Sequence, residues 1–376
     1  MPDPPQAGRP LVLMAHDYPP LTGGGLALGV RELARLLGDE LRFRILSSRL
    51  VDHFADDRSR LAAARPDTAR AGLGRTLRWL CEADVIIVHW TFSFRRLSTV
   101  LLLAAPLLRR PVVCVIHTAP DHCDYNRLRR LPSPVRRLLF TLMRHAARRC
   151  TAVVALSHPH AAALAQVGIP VARVLPLPVA PDGFPPANGR RRNGRPVRTV
   201  GIVGELSELK GADAIPALLP VLTPRFAVRI AGRGSLAPAL TRAVATLPPA
   251  RRAGVVLSDR VDPASMPSLY GEVDCLLVLS RSESQSRVTL EAMHAGVVVL
   301  GSGAGGVADL VEDGETGFLV DPDDPESVLY VLARLHAEPA EAERVRCRAH
   351  ERATRAFARS QREWRAFLLA IARQPR

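Results

Sequence analysis

A chain of 376 residues with 47% apolar side chains is too long for one ordinary core and fits two domains, each large enough to bury a sheet. Its longest apolar stretch, Val100 to Leu108, falls short of the ~18 residues of a membrane helix, and the opening MPDPPQAGRP lacks the basic start and apolar centre of a signal peptide. A cytoplasmic protein is expected. The formal charge of +15 admits phosphate-rich partners, yet aromatics are only 5% and no helix-turn-helix, zinc-finger or base-stacking motif occurs, which argues against nucleic acid.

In chain order, buried-strand signals at Leu11–Ala15, Phe43–Ser47, Val85–His89, Val112–His117, Ala152–Ser157 and Ala172–Leu177 alternate with helical stretches such as Leu26–Leu37 and Val135–Arg149. This is a doubly wound βα pattern. His16 and Asp17 stand where the first strand ends, followed by a loop containing Thr22, Gly23, Gly24 and Gly25. Three glycines let backbone approach a ligand closely, and the helix N-terminus behind them favours an anion. His117 stands at the tip of VVCVIH, ahead of Asp121, His122 and Asp124.

Arg127 to Arg149 has apolar residues at 135, 138, 139, 142, 143 and 146 along one helical stripe, with arginines on the other side. The expectation is a helix packed on the N-terminal sheet with its basic face in water. The alternative is peripheral contact with an anionic bilayer, at the inner membrane face. The six cysteines (Cys81, Cys114, Cys123, Cys150, Cys275, Cys347) form no CxxC pair and read as reduced thiols, with Cys114 and Cys275 in core strands.

Pro178 to Arg198 is a Pro, Gly and Arg linker without periodicity. Strand signals then resume at Thr199–Val203, Val228–Ala231, Val255–Leu257, Cys275–Leu279 and Val297–Gly301. The expected domains are 1–180, a linker 181–198, and 199–355. Fifty of the fifty-one basic residues are arginine; the one lysine, Lys210, follows the strand Thr199–Val203. An ammonium on a flexible stem can meet a diphosphate where a planar guanidinium does not fit. Between Ser280 and Val320 lie Glu283 and Glu291, eight positions apart, flanking a helix start. First-turn amides at Arg287, Val288 and Thr289 can hold a phosphate, and Glu291 one turn in can accept hydrogen bonds from a ribose diol. Asp321 and Asp323, in DPDDPE, read as a helix-cap region, and no metal site is expected.

The Glu283/Glu291 spacing, the tetrad Leu290–Met293, the pair Gly305–Gly306 and the tail DGETGFLV resemble glycosyltransferase family 4, and the resemblance covers most of the chain. It implies a GT-B fold: two Rossmann-like, doubly wound domains facing across a cleft, the first binding the acceptor and the second the nucleotide-sugar. The C-terminal helix, 356–376, would rejoin the first. It also implies a retaining, metal-independent enzyme without a cofactor, moving a sugar from a nucleoside-diphosphate donor, uridine being the commonest base, to a hydroxyl. The acceptor classes left open are a lipid carrier, a glycan precursor or a natural product such as an aminocyclitol. In that reading His117 and Glu283 serve the reacting sugar. Gly24, Gly25, Lys210, Arg287, Val288, Thr289 and Glu291 bind the donor, and His16 and Asp17 lie on the acceptor side.

The chain departs from the family at Glu205, where an arginine is usual after Gly204, and Arg233 or Arg287 is expected to offset the change. Gln285 and Ser286 replace the usual Phe and Gly, with side chains expected either to crowd the sugar or to select an unusual one, and Asp309 replaces Glu. The alternatives are a nucleotide-sugar epimerase and a non-catalytic donor-binding protein, the second favoured by Glu205.

Overall fold

The computed structural model describes residues 9–16, 25–47, 67–70, 72–91, 97–104, 107, 110–118, 133–181, 195–259 and 261–373. The chain divides into two compact units, Met1–Pro178 with Ala358–Arg376, and Val179–Phe357.

In unit 1, strands β1 (Leu11–His16), β2 (Arg42–Ser47), β3 (Asp67–Arg70), β4 (Val85–Trp90), β5 (Val112–Ile116), β6 (Ala152–Ala155) and β7 (Arg173–Val174) form one parallel sheet ordered β3-β2-β1-β4-β5-β6-β7. β4 and β5 are buried along their whole length, as continuous apolar runs must be when helices cover both faces. The helices are α1 (Gly25–Leu37), α2 (Leu73–Glu82), α3 (Leu97–Ala104), α4 (Ser133–Arg148) and α5 (His158–Gln166). The seventh strand is only two residues long where six were expected, and β3 carried no sequence signal: DTAR has no run of apolar or β-branched residues.

α4 packs on the sheet through Met143, Ala146 and Ala147, which join Trp90 of β4 and Leu102 of α3. The expected stripe is narrower than its periodicity indicates, since Val135, Leu138 and Leu142 are exposed. Val100 and Leu103 on α3 are exposed as well, so Val100–Leu108 is not wholly a packed segment.

Unit 2 repeats the plan with β8 (Thr199–Val203), β9 (Ala227–Ala231), β10 (Val255–Ser258), β11 (Cys275–Val278), β12 (Val298–Gly301) and β13 (Phe318–Leu319), ordered β10-β9-β8-β11-β12-β13 and parallel throughout. Its helices are α6 (Ile215–Leu222), α7 (Ala237–Ala245), α8 (Pro249–Arg252), α9 (Met266–Glu272), α10 (Arg287–His294) and α11 (Pro325–Ala337). Asp324 caps α11, accepting from the amides of Glu326 and Ser327, so DPDDPE is a cap region as its composition indicates.

The final helix, α12 (Pro339–Ala372), serves both units. Ala342, Val345, Ala349 and Ala353 pack into unit 2, whereas Trp364, Leu368 and Ile371 enter the core of unit 1. Ser360 Oγ and Trp364 Nε1 both donate to the carbonyl of Pro176, at 2.6 and 2.8 Å.

Candidate functional site

In each sheet the strand order reverses direction once, between β1 and β4 in unit 1 and between β8 and β11 in unit 2. Ligands of open α/β sheets bind beyond the carboxyl ends of the strands at such points. In unit 2 the segments that leave β8 and β11 there carry Lys210 and Glu283.

Glu208–Lys210 forms one 3-10 turn, closed by Gly211 at φ +70°. A Cβ on Gly211 would lie 1.9 Å from the Leu279 carbonyl oxygen, so only glycine lets this turn lie against the end of β11. The Arg281 amide donates to the Leu209 carbonyl at 3.0 Å and fixes the same approach. Lys210 Nζ consequently donates to Glu283 Oε2 at 2.7 Å, and Ser280 Oγ donates to that oxygen at 3.1 Å. The Gly306 amide, from the segment after β12, donates to the Glu283 carbonyl at 2.7 Å. Gly305 has φ +50°, and a Cβ there would meet the same oxygen at 1.9 Å. The GG pair of the sequence is therefore the seat of Glu283.

α10 begins directly behind this group. Its N-cap, Ser286, makes no side-chain cap bond; its hydroxyl lies 2.7 Å from Thr289 Oγ1 and is buried. The first-turn amides of Arg287, Val288 and Thr289 have no partner inside the helix and lie at its positive end, which suits an anion. Because Ser286 is buried and turned toward Thr289, the expectation that its side chain crowds a sugar is corrected.

Glu291 is 6% exposed and accepts from Arg287 Nε at 2.6 Å and from the Tyr270 hydroxyl at 3.1 Å. Burial, then the adjacent Glu291 carboxylate, push the Tyr270 hydroxyl well above its usual pKa, so it stays a hydrogen-bond donor. Tyr270 was missed in the sequence; it closes α9 in MPSLYGEVD, where a tyrosine reads as core. Arg281 was also missed. It bridges Asp213 at 2.6 Å and Asp323 at 2.7 Å, and these bonds raise its pKa while the bond from Arg281 lowers that of Asp323.

The compensation expected for Glu205 is not made by a bare cation. Glu205 is exposed. Arg233 forms a two-pronged, exposed pair with Asp259, and Arg287 is engaged by Glu291. Asp309 accepts through its carbonyl from Arg352 at 2.9 Å.

In unit 1, Gly25 opens α1, while Gly24, Asp17, Asp121, His122 and Asp124 lie outside the described residues, as does the side chain of His16, the last residue of β1. His117 follows β5, its amide donating to the Trp90 carbonyl at 2.9 Å. Its Nε2 lies 2.8 Å from Nδ1 of His89 on β4. His89 is buried, and burial first, then His117, push its pKa well below the usual imidazole value. His89 is therefore neutral, and its Nε2 has no partner. Buried orphan N–H groups are rarer than under-used acceptors, so the His89 proton belongs on Nδ1, donated to His117 Nε2. A neutral His117 accepting that bond then carries its own proton on Nδ1. No sequence signal separated His89 from a core histidine.

Among the described residues no group of three or more His, Cys, Asp or Glu side chains could hold a metal ion, and no helix is long and apolar enough to cross a membrane. Of the cysteines described, Cys114 and Cys275 are buried and Cys81 and Cys347 exposed.

Both halves of the chain match family descriptions: "Glycosyltransferase Family 4" over residues 23–182 and "Glycosyl transferases group 1" over residues 197–338. A D-inositol 3-phosphate glycosyltransferase of Acidothermus cellulolyticus is 32% identical over 189 residues, 46% of this chain and 42% of that protein. Glycogen synthase of Thermus thermophilus is 33% identical over 155 residues, 40% and 35% of the respective chains. The matches thus span less than half the length of these curated relatives. Among solved structures, Anabaena Alr3699/HepE in complex with UDP-glucose superposes with a TM-score of 0.74 at 19% identity, covering 96% of this chain and 99% of that one. Sucrose-phosphate synthase of Thermosynechococcus elongatus gives 0.74 at 16% identity, covering 97% and 100%. Two parallel Rossmann-like sheets, a last helix belonging to both units, and matches along both halves have one reading: the chain belongs to glycosyltransferase family 4 and has the GT-B fold.

Proposed function

We propose that the chain is a retaining, metal-independent glycosyltransferase that takes a sugar from a nucleoside-diphosphate donor, UDP-linked in the first instance, to an acceptor hydroxyl. Residues 199–355 are its donor domain and 1–180 its acceptor domain. The observation that carries this reading is the Lys210–Glu283 pair at the β8/β11 reversal, seated beside the uncapped start of α10. The UDP-glucose complex of Alr3699/HepE, a protein of the same fold, supports the choice of donor.

In this reading the diphosphate takes Lys210 from Glu283 and lies against the amides of Arg287, Val288 and Thr289. Glu291, held by Arg287 and Tyr270, accepts from the ribose. Glu283, kept in orientation by Ser280, turns to the sugar hydroxyls, and His117 is the second residue assigned to the reacting sugar. The bond from the anomeric carbon to the diphosphate oxygen breaks with its electron pair. The acceptor oxygen bonds to that carbon from the same face, and its proton passes to the departing phosphate oxygen. Lys210 and the amides favour the transition state because charge builds on the leaving group, each such bond contributing ~1.5 to 3 kcal/mol.

Calorimetry with UDP and UDP-glucose is the direct test. Lys210→Ala and Glu291→Ala should each weaken binding about 10- to 100-fold, while Glu283→Gln should lower turnover more than affinity. Unaltered affinity in both alanine variants would remove the assignment. A second reading, a non-catalytic donor-binding protein, is favoured by exposed Glu205 together with the prior pairing of Arg233 and Arg287. It predicts donor binding with no UDP released, even to water, and Glu205→Arg then discriminates by restoring release.

A further inference from the structure

Ten large apolar side chains are exposed among the described residues, and six of them belong to two adjacent helices of unit 1 or to the residues just after: Val100, Leu103, Leu107, Val135, Leu138 and Leu142. α3 and α4 pack side by side with Trp90, Leu102, Met143 and Ala146 buried beneath them, and these six are left exposed. On α4 they recur at i, i+3 and i+7, a stripe along the helix, and on α3 Val100 and Leu103 stand one turn apart with Leu107 just beyond. Leu107 is 84% exposed and Val100 62%, values that are unusual for such side chains in a run this apolar.

The charge beside the stripe has one sign. Neither α3 nor α4 contains an acidic residue, and from Val85 to Ala180 the only carboxylates are Asp121 and Asp124. Arg137 is exposed on α4, and Arg149, exposed just past its end, continues the stripe one turn beyond His145 and two beyond Leu142. Arg148 donates to the Gly168 carbonyl at 3.1 Å, and Arg144 donates to Thr141 at 3.1 Å. An apolar stripe bordered by cations is the pattern of a helix lying in the interface of a negatively charged bilayer, apolar side chains among the acyl chains and guanidinium groups at the phosphates. A second copy of the chain fits less well, since it would set arginines against arginines. An acidic protein would match the charge but leave the exposed leucines and valines to be met by apolar groups as well.

We propose that the α3/α4 face of unit 1 is a docking surface for an anionic lipid bilayer. This goes beyond the transfer reaction and does not use the roles assigned to His117, Lys210, Glu283 or Glu291.

The test is co-sedimentation of the full chain with vesicles of phosphatidylglycerol mixed with phosphatidylcholine, and with phosphatidylcholine alone. Binding is expected to the mixed vesicles, at least ~10-fold stronger than to the neutral ones, and to fall as salt rises. Leu138→Gln with Leu142→Gln should weaken it about 10-fold or more. Arg137→Gln with Arg149→Gln should weaken it about 30-fold. Both double variants should keep the wild-type unfolding temperature and UDP affinity, which separates loss of the surface from loss of the fold or of the donor site. Equal binding by wild type and both variants, or none to the mixed vesicles, overturns the proposal. Self-association in sedimentation velocity that the leucine variants abolish, without vesicle binding, assigns the face to a second copy instead.

Discussion

The two units share an architecture and differ in how they treat charge. Around the strand ends of unit 2 every described cation of interest meets a carboxylate: Lys210 with Glu283, Arg233 with Asp259, Arg281 with Asp213 and Asp323, Arg287 with Glu291. In unit 1, between Val85 and Ala180, there is almost no acid to meet. There Arg110 and Arg148 donate to backbone carbonyls, and the strand-end contact at His117 is made by a second imidazole held neutral. A ligand that used these unit 2 cations would exchange with an ion pair already formed, whereas the Val85–Ala180 stretch of unit 1 carries many arginines and only two carboxylates in its sequence. The first arrangement selects by competition, the second by attraction.

Breaking the innermost pair should have the largest effect. Glu291 is buried and Arg287 largely so, with Arg287 Nη1 lacking a partner, so Glu291→Ala strands a guanidinium in a poorly hydrated place. The expected loss is about 3 to 5 kcal/mol in urea unfolding. A loss under about 1 kcal/mol, typical of exposed pairs, would show that the comparison overstates the unit 2 pairs.

Next comes a group in unit 2 that breaks its own rule. His294, at the end of α10, is buried with neither ring nitrogen hydrogen-bonded, and burial, then His350, lower its pKa from 6.5 to about 4. The unfolded chain binds this proton more readily, so the stability that depends on neutral His294 is present above pH 6.5 and lost as pH falls toward 4. The shift corresponds to about 3 kcal/mol. His294→Leu should flatten that part of the stability–pH curve; parallel wild-type and variant curves would count against the effect.

Much of unit 2 was legible because its information is local. Lys210 stood out as the one lysine. Glu283 and Glu291 lie eight residues apart around a helix start, and the glycines that seat Glu283 are a visible pair. Partners brought in from other elements were not legible: Tyr270 reaches Glu291 from α9, and Arg281 joins aspartates that are 68 and 42 positions away. In unit 1 the strands were read from continuous apolar runs. Period 3.6 showed that α4 has an apolar stripe, but not that Met143 and Ala146 would be buried while Val135, Leu138 and Leu142 stay exposed, because sequence periodicity gives the width of a stripe and not the width of what covers it. His89 looked like any core residue of VIIVHW, since its meaning depends on a histidine 28 positions later.

A smaller effect is expected from Tyr270→Phe, which removes one of two donors to Glu291 and leaves the ion pair. About 1.5 kcal/mol should be lost, with donor affinity falling through greater freedom of the carboxylate. If the variant matched Glu291→Ala, the hydroxyl rather than the guanidinium would be the main support of Glu291, and pairing by charge would no longer distinguish unit 2.

The smallest change in stability is expected in unit 1. A hydrogen bond between two imidazoles contributes about 0.5 to 1.5 kcal/mol, so His89→Phe, which keeps a buried ring, should destabilise by less than ~1.5 kcal/mol. Its consequence is chemical. With His89 donating from Nδ1, His117 is confined to the tautomer that carries its proton on Nδ1; without it the proton is free to move to Nε2. Nitrogen NMR of histidine-labelled protein, with the His117 signals assigned by His117→Asn, should show an Nδ1–H ring in wild type and a mixture in His89→Phe. The turnover of His89→Phe should fall while donor affinity stays, because no group in unit 2 has changed. Were the tautomer the same in both proteins, the pair would be packing alone, and the contrast between a unit that positions by charge and one that positions by a shared proton would fail at its weaker end.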